Sequence, residues 1–183
     1  MFEVMPVKDS SIIFLGNSIT EGANWAELFD NPNIINRGIA GDITEGVLNR
    51  MDEIIRHKPA KLFISIGTND ISRGISIGKI LENYLSIIKK TKTSSPNTKI
   101  YIQSLLPVAV PPGSFYLHNN KGILEVNEEL KEISKDLDIT YLDLHVHFAD
   151  KTGKLKSELT NDNLHLLGKG YFALERLDTG LCI

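Results

Sequence analysis

Ile12-Ile13-Phe14-Leu15-Gly16-Asn17-Ser18-Ile19-Thr20-Glu21-Gly22 decides the fold class. Four apolar residues in a row, the first two β-branched, mark a strand buried on both faces. The run stops at Gly16, and the polar cluster after it leads into helical spacing from Ala23 to Phe29. Ser18 is therefore expected in the turn at the carboxyl end of a buried strand, beside a helix N-terminus. In open α/β sheets ligands bind at that place, and backbone N–H groups there can face developing negative charge. Read alone, the same serine also fits an ordinary helix cap.

The pattern repeats outward from this stretch. Strand signals at 33–39, 61–67, 99–105 and 139–144 are separated by helical spacing at 44–57, 77–90 and 123–137. A last helix is expected over 168–177, and 106–121 reads as a long loop carrying Phe115 and Tyr116. Asp42 or Thr44 can cap the 44–57 helix, and Pro59 stops it. Strands alternating with helices at this pitch imply right-handed crossovers and a parallel sheet covered on both faces. The expectation is one domain with a three-layer α/β/α, flavodoxin-like fold and strand order 2-1-3-4-5.

The chain has 183 residues and a net charge of −3 with both signs interspersed, which gives no footing for nucleic acid or an anionic membrane. Its single cysteine, Cys182, excludes an intrachain disulfide framework and a cysteine-rich metal site. Residues 1–10 lack the pattern of a signal peptide, and no apolar run approaches membrane-spanning length. A cytoplasmic location is the expectation, unless a leader has been removed.

Four turns carry unusual polar residues: Gly16-Asn17-Ser18, Arg37-Gly38-Ile39-Ala40-Gly41-Asp42, Gly67-Thr68-Asn69-Asp70 and Asn161-Asp162-Asn163-Leu164-His165. In a doubly wound sheet the first three lie on one edge, and the fourth reaches it if the last helix packs antiparallel to its strand neighbour. On one turn of helix-like backbone, Asp162 and His165 would share a side. A histidine oriented by a carboxylate can act as base toward a serine hydroxyl, which gives a Ser-His-Asp set.

Taken together and in order, these four blocks resemble those of the SGNH (GDSL-type) esterase and lipase family, across residues 12–171. The resemblance implies Ser18 as nucleophile, His165 as base and Asp162 as its orienting acid. It implies an oxyanion hole made by the N–H groups of Ser18 and Gly38 and the amide of Asn69, with no metal or cofactor. Asn17 stands where the family's best-known motif has Asp, as in its acetylhydrolase-like members. The substrate implied is a small-molecule ester with a short acyl group, acetyl most of all.

The turns around Ser18 are polar, which suits a hydroxyl-bearing alcohol such as a sugar. Asn17, Trp25, Phe115 and Tyr116 are the candidate substrate contacts, the aromatics as faces on which a sugar ring stacks. No amphipathic lid helix is evident, and homodimerisation is left open. A lysophospholipase or thioesterase of the same family is the alternative enzyme. From other classes come a non-catalytic binding module and a flavodoxin-like FMN binder, the latter disfavoured by Glu21, whose carboxylate would repel a phosphate.

Three further motifs have plainer readings. Gly74-Ile75-Ser76-Ile77-Gly78 matches the G-x-S-x-G elbow in letters but does not directly follow a strand, so Ser76 reads as a helix cap. Asp143, His145 and His147 would alternate along the fifth strand, where a solvated strand end is favoured over a zinc site. His57 is read as a helix C-terminal residue facing the helix dipole.

Overall fold

The computed structural model describes residues 2–111 and 120–178. Strands β1 (Ile12–Gly16), β2 (Ile34–Gly38), β3 (Lys61–Ser65), β4 (Lys99–Gln103) and β5 (Thr140–Leu142) form a sheet in the order β2-β1-β3-β4-β5. Every neighbouring pair is parallel, as the sequence predicts. The register aligns Gly16 with Gly38 on one side and with Ser65 on the other. The turns after β1, β2 and β3 therefore start level, at one edge.

Alternation along the strands sends their side chains into two apolar layers. Ile13, Leu15, Leu62 and Ile64 point into one, packed under α3 (Thr44–Asn49), α4 (Met51–Ile55), α6 (Ile77–Ser94) and α7 (Asn120–Asp136). Ile12, Phe14, Phe63 and Tyr101 point into the other, under α1 (Ser18–Glu21), α2 (Trp25–Leu28), α8 (His145–Phe148) and α9 (Gly168–Asp178). A short helix, α5 (Thr68–Ser72), follows β3 at the sheet edge. Among the described residues no helix is long and apolar enough to cross a membrane.

The structure departs from the sequence reading at four places. The 44–57 helix is broken at Arg50 (φ −107°, ψ 13°), whose guanidinium turns in to Asp42 and to the carbonyls of Gly16 and Arg37. Neither Asp42 nor Thr44 caps it; Ile43 occupies the cap position. The fifth strand is only Thr140–Leu142, after which the chain coils into α8. Asp143, His145 and His147 thus share no strand face, and His145 is buried, its N–H donating to Ser104 Oγ at 2.8 Å. His57 is fully buried: Nδ1 accepts from the Lys8 N–H at 3.0 Å, and Nε2 meets Glu53, itself paired with Arg37. An ion-pair group, not the helix dipole, accounts for it. Ser76 caps α6 as read, its Oγ accepting from the Lys79 N–H.

Candidate active site

The site grows from the end of β1. A Cβ on Gly16 would collide with Thr20 Oγ1 and the Ser65 carbonyl, so only glycine lets α1 fold back against the strand end. Asn17 is buried, and its Oδ1 accepts from the Ile19 N–H at 3.0 Å, capping α1. Ser18 then stands as the first helical residue, where a backbone N–H has no intrahelical partner. Its hydroxyl is released from capping and meets His165.

Ser18 Oγ lies 2.9 Å from His165 Nε2, and His165 Nδ1 lies 2.6 Å from Asp162 Oδ2. With Nδ1–H donated to the carboxylate, Nε2 is left with a lone pair toward the serine hydroxyl. Asp162 and His165 do not share a helical turn. Asn163 is left-handed (φ 70°), and Asp162 Oδ1 accepts from the N–H groups of Leu164 and His165 at 3.0 and 2.7 Å. Burial pushes the Asp162 carboxyl up, but the bond from His165 and these backbone donors outweigh it and bring its pKa down to about 2. The carboxylate is thus ionised at neutral pH.

The sheet divides the surroundings of Ser18. On the side of α3 and α5, Asn69 donates to the Asp42 carbonyl at 2.9 Å, which fixes the amide beside the turn after β2. Arg73 donates to the Gly41 carbonyl at 2.7 Å, and Arg50 grips the Asp42 carboxylate. Asp70, fully buried, accepts from the Thr44 N–H with both oxygens at 3.1 Å and so ties α5 to α3. Its pKa is raised by burial, against the Thr44 hydrogen bonds.

Gly38 does not offer a free donor. Its N–H goes to Asn36 Oδ1 at 2.8 Å, and a Cβ there would strike the backbone of Thr20 and Glu21. Glycine at this position lets β2 approach α1. Among the described residues the unengaged N–H groups of this turn belong to Ala40 and Gly41, the latter left-handed at φ 75°. The sequence places Gly41 in this polar turn, but the resemblance assigns the donor to Gly38 instead. The sequence reading missed the bracing role of Asn36, whose amide donates to the carbonyls of Thr20 and Ala23 and braces α1.

Trp25 does not reach the site. It is 3% exposed, stacked on Phe14 at 4.3 Å, and its indole N–H donates to the Thr20 carbonyl. A large ring beside a buried strand gains more from the core than from water, and Trp25 is core. Asn17, buried in its cap, is likewise removed from the substrate contacts. Phe115 and Tyr116 lie outside the described residues.

The profile of the GDSL-like lipase/acylhydrolase family matches residues 14–173. The chain is 29% identical over 171 residues to the human platelet-activating factor acetylhydrolase IB subunit alpha2, covering 90% of this chain and 72% of the relative. Its fold superposes on a Streptococcus pneumonia protein named for platelet activating factor with a TM-score of 0.87 and 29% identity, covering 100% of this chain and 87% of that one. A GDSL-like lipase from Bacteroides thetaiotaomicron gives 0.84 at 25% identity, covering 94% and 87%. With the four sequence blocks gathered at one sheet edge and the family matched over most of its length, this chain belongs to the GDSL-like lipase/acylhydrolase family and is an ester hydrolase.

Proposed function

We propose that the protein hydrolyses short-acyl esters, acetyl esters foremost, through a Ser18-His165-Asp162 triad. The observation that carries the reading is the unbroken line from Asp162 Oδ2 through His165 to Ser18 Oγ, with contacts of 2.6 and 2.9 Å. Ser18 Oγ attacks the ester carbonyl as its proton passes to His165 Nε2. The tetrahedral intermediate collapses, and the same proton goes to the departing alcohol oxygen. Water then adds to the acyl-serine, giving its proton to His165, and the acid leaves as Ser18 is re-protonated.

The oxyanion faces the Ser18 N–H, the Asn69 amide and the Gly41 N–H, the last in place of the engaged Gly38. The acetyl preference is supported by the acetylhydrolase relatives. The sugar preference loses one of its aromatic supports with Trp25 in the core and rests on the polar turns around Ser18. A fluorophosphonate probe tests the reading: it labels Ser18, and Ser18→Ala removes both label and esterase activity in a folded protein. Labelling at Ser76, or an active Ser18→Ala, overturns it.

A further inference from the structure

A cavity of about 340 Å³ opens between α1–α2 and the start of α9. Ala23, Leu28, Tyr171 and Phe172 give it apolar walls, and Gly22 and Gly168 are also in its lining. Nothing in the catalytic chemistry above uses it. Two links place it next to the reaction. Gly22 lies four residues after Ser18 on the same short helix, its N–H bonded to the Ser18 carbonyl at 2.9 Å. At helical rise that is about 6 Å from the nucleophile's backbone. Gly168 follows His165 by three residues, and Tyr171 Oη donates to the Ile19 carbonyl at 2.9 Å, holding α9 against α1.

Its side of the sheet decides which half of the ester it faces. Apart from the Ser18 N–H itself, the proposed donors for the oxyanion come from α5 and the turn before α3. Leu166, directly after His165, and α9 belong with the opposite layer, and the cavity with them. In a tetrahedral intermediate the oxyanion points to its donors, and the departing oxygen points to the histidine that protonates it. The alcohol therefore leaves on the cavity's side. Phe172 is 60% exposed at its wall. Glu27 is the one charged residue in the lining, which disfavours an anionic alcohol.

We propose that this cavity binds the alcohol half of the substrate, a neutral hydrocarbon chain longer than ethyl. The inference rests on the proposed triad and oxyanion donors. Ethyl esters stop short of the cavity; hexyl esters enter it. Each methylene buried contributes about fourfold to kcat/KM, less where the wall is open to water.

The test is kcat/KM for ethyl, butyl, hexyl and octyl acetates with the wild type and Phe172→Ala. All four esters pass through one acetyl-enzyme, so the series reads the alcohol alone. In the wild type the hexyl-to-ethyl ratio is of order tenfold or more, and in Phe172→Ala it falls at least threefold. Gly168→Leu, at a position with open space beside its Cα, fills the cavity and lowers the same ratio. A flat series in the wild type, or a ratio that both variants leave unchanged, overturns the inference while the triad stands. Absence of turnover on every acetate, with Ser18 unlabelled by the fluorophosphonate, overturns triad and cavity together.

Discussion

The side-chain oxygen of Asn17 accepts the Ile19 N–H at 3.0 Å, so Asn17 and not Ser18 closes the N-terminus of α1. The two roles that the sequence allowed for one serine are divided between neighbours. Asn17 satisfies the helix, and the Ser18 hydroxyl is left for His165. Asn17→Ala should lower stability by about 1 kcal/mol, a drop of roughly 2–4 °C in Tm. Asn17→Asp keeps the acceptor and adds a charge that a helix N-terminus favours, so it should stay folded and active. An unchanged Tm in Asn17→Ala would show that the cap contributes nothing.

Asn69, the proposed oxyanion donor, is held in place by the turn after β2. One of its amide hydrogens is held by the Asp42 carbonyl, which fixes the plane of the group and leaves the other hydrogen for an oxyanion. A donor that meets charge only in the transition state acts on kcat. Asn69→Ala should lower kcat by about 10²–10³ and change KM little. A loss confined to thermal stability, with kcat intact in the folded fraction, would make Asn69 a turn residue only.

Asp162 gives a pH signature with a definite sign. Its pKa is brought down to about 2 from an ordinary 3.8, against the push of burial, by His165 and two backbone N–H groups. A depressed carboxyl stabilises the fold above its unfolded pKa, and the contribution is lost as pH falls through the folded value. Wild type should therefore exceed Asp162→Asn in Tm by a constant margin above about pH 5. The margin should shrink below about pH 4 and vanish near pH 2. A margin that persists undiminished to pH 2 would mean that the carboxylate's charge is not what holds the turn.

The elements legible in the sequence are those whose signal is local. β1 and β3 show as continuous apolar runs because both faces are covered. The first three polar turns converge because parallel strands with level ends leave them no other edge, and the fourth meets them through the His165 contact with Ser18. What stayed hidden depends on distant partners. The break at Arg50 answers to carbonyls at Gly16 and Arg37, and nothing in the spacing of Val47, Met51 and Ile54 announces it. The burial of His57 depends on Lys8 and Glu53. Gly38 and Gly41 look alike as letters. Only the bond from the Gly38 N–H to Asn36 shows which one has a donor to spare.

Trp25 offers a direct check on the corrected reading. Stacked on Phe14 of β1, edge-on to Tyr171 of α9 and almost fully buried, it should cost about 3–5 kcal/mol when cut to alanine. Trp25→Phe keeps the stack and loses the bond to the Thr20 carbonyl, so it should fold with a smaller penalty. Neither change should alter the ratio of kcat/KM between an acetylated sugar and an alkyl acetate. A selective loss on the sugar ester in Trp25→Phe would return the ring to the binding surface.

The acyl side of the site sets the last expectation. On the oxyanion side of Ser18, the turn over residues 39–42 and α5 are stitched together by Asn69 to Asp42 at 2.9 Å and Arg73 to Gly41 at 2.7 Å. These bonds hold the two segments together, and we expect a long acyl chain to have to part them. Parting them would expose the buried Asp70–Thr44 pair, whose hydrogen bonds then lose their shelter. An acetyl group needs no such parting. With one fixed alcohol, kcat/KM should fall from acetate through butyrate to octanoate and palmitate, although each added methylene would otherwise favour binding by about 0.8 kcal/mol. Arg73→Ala, which removes one stitch, should narrow the gap between acetate and octanoate. A rise through octanoate in the wild type would overturn the short-acyl reading and favour a thioesterase or lysophospholipase.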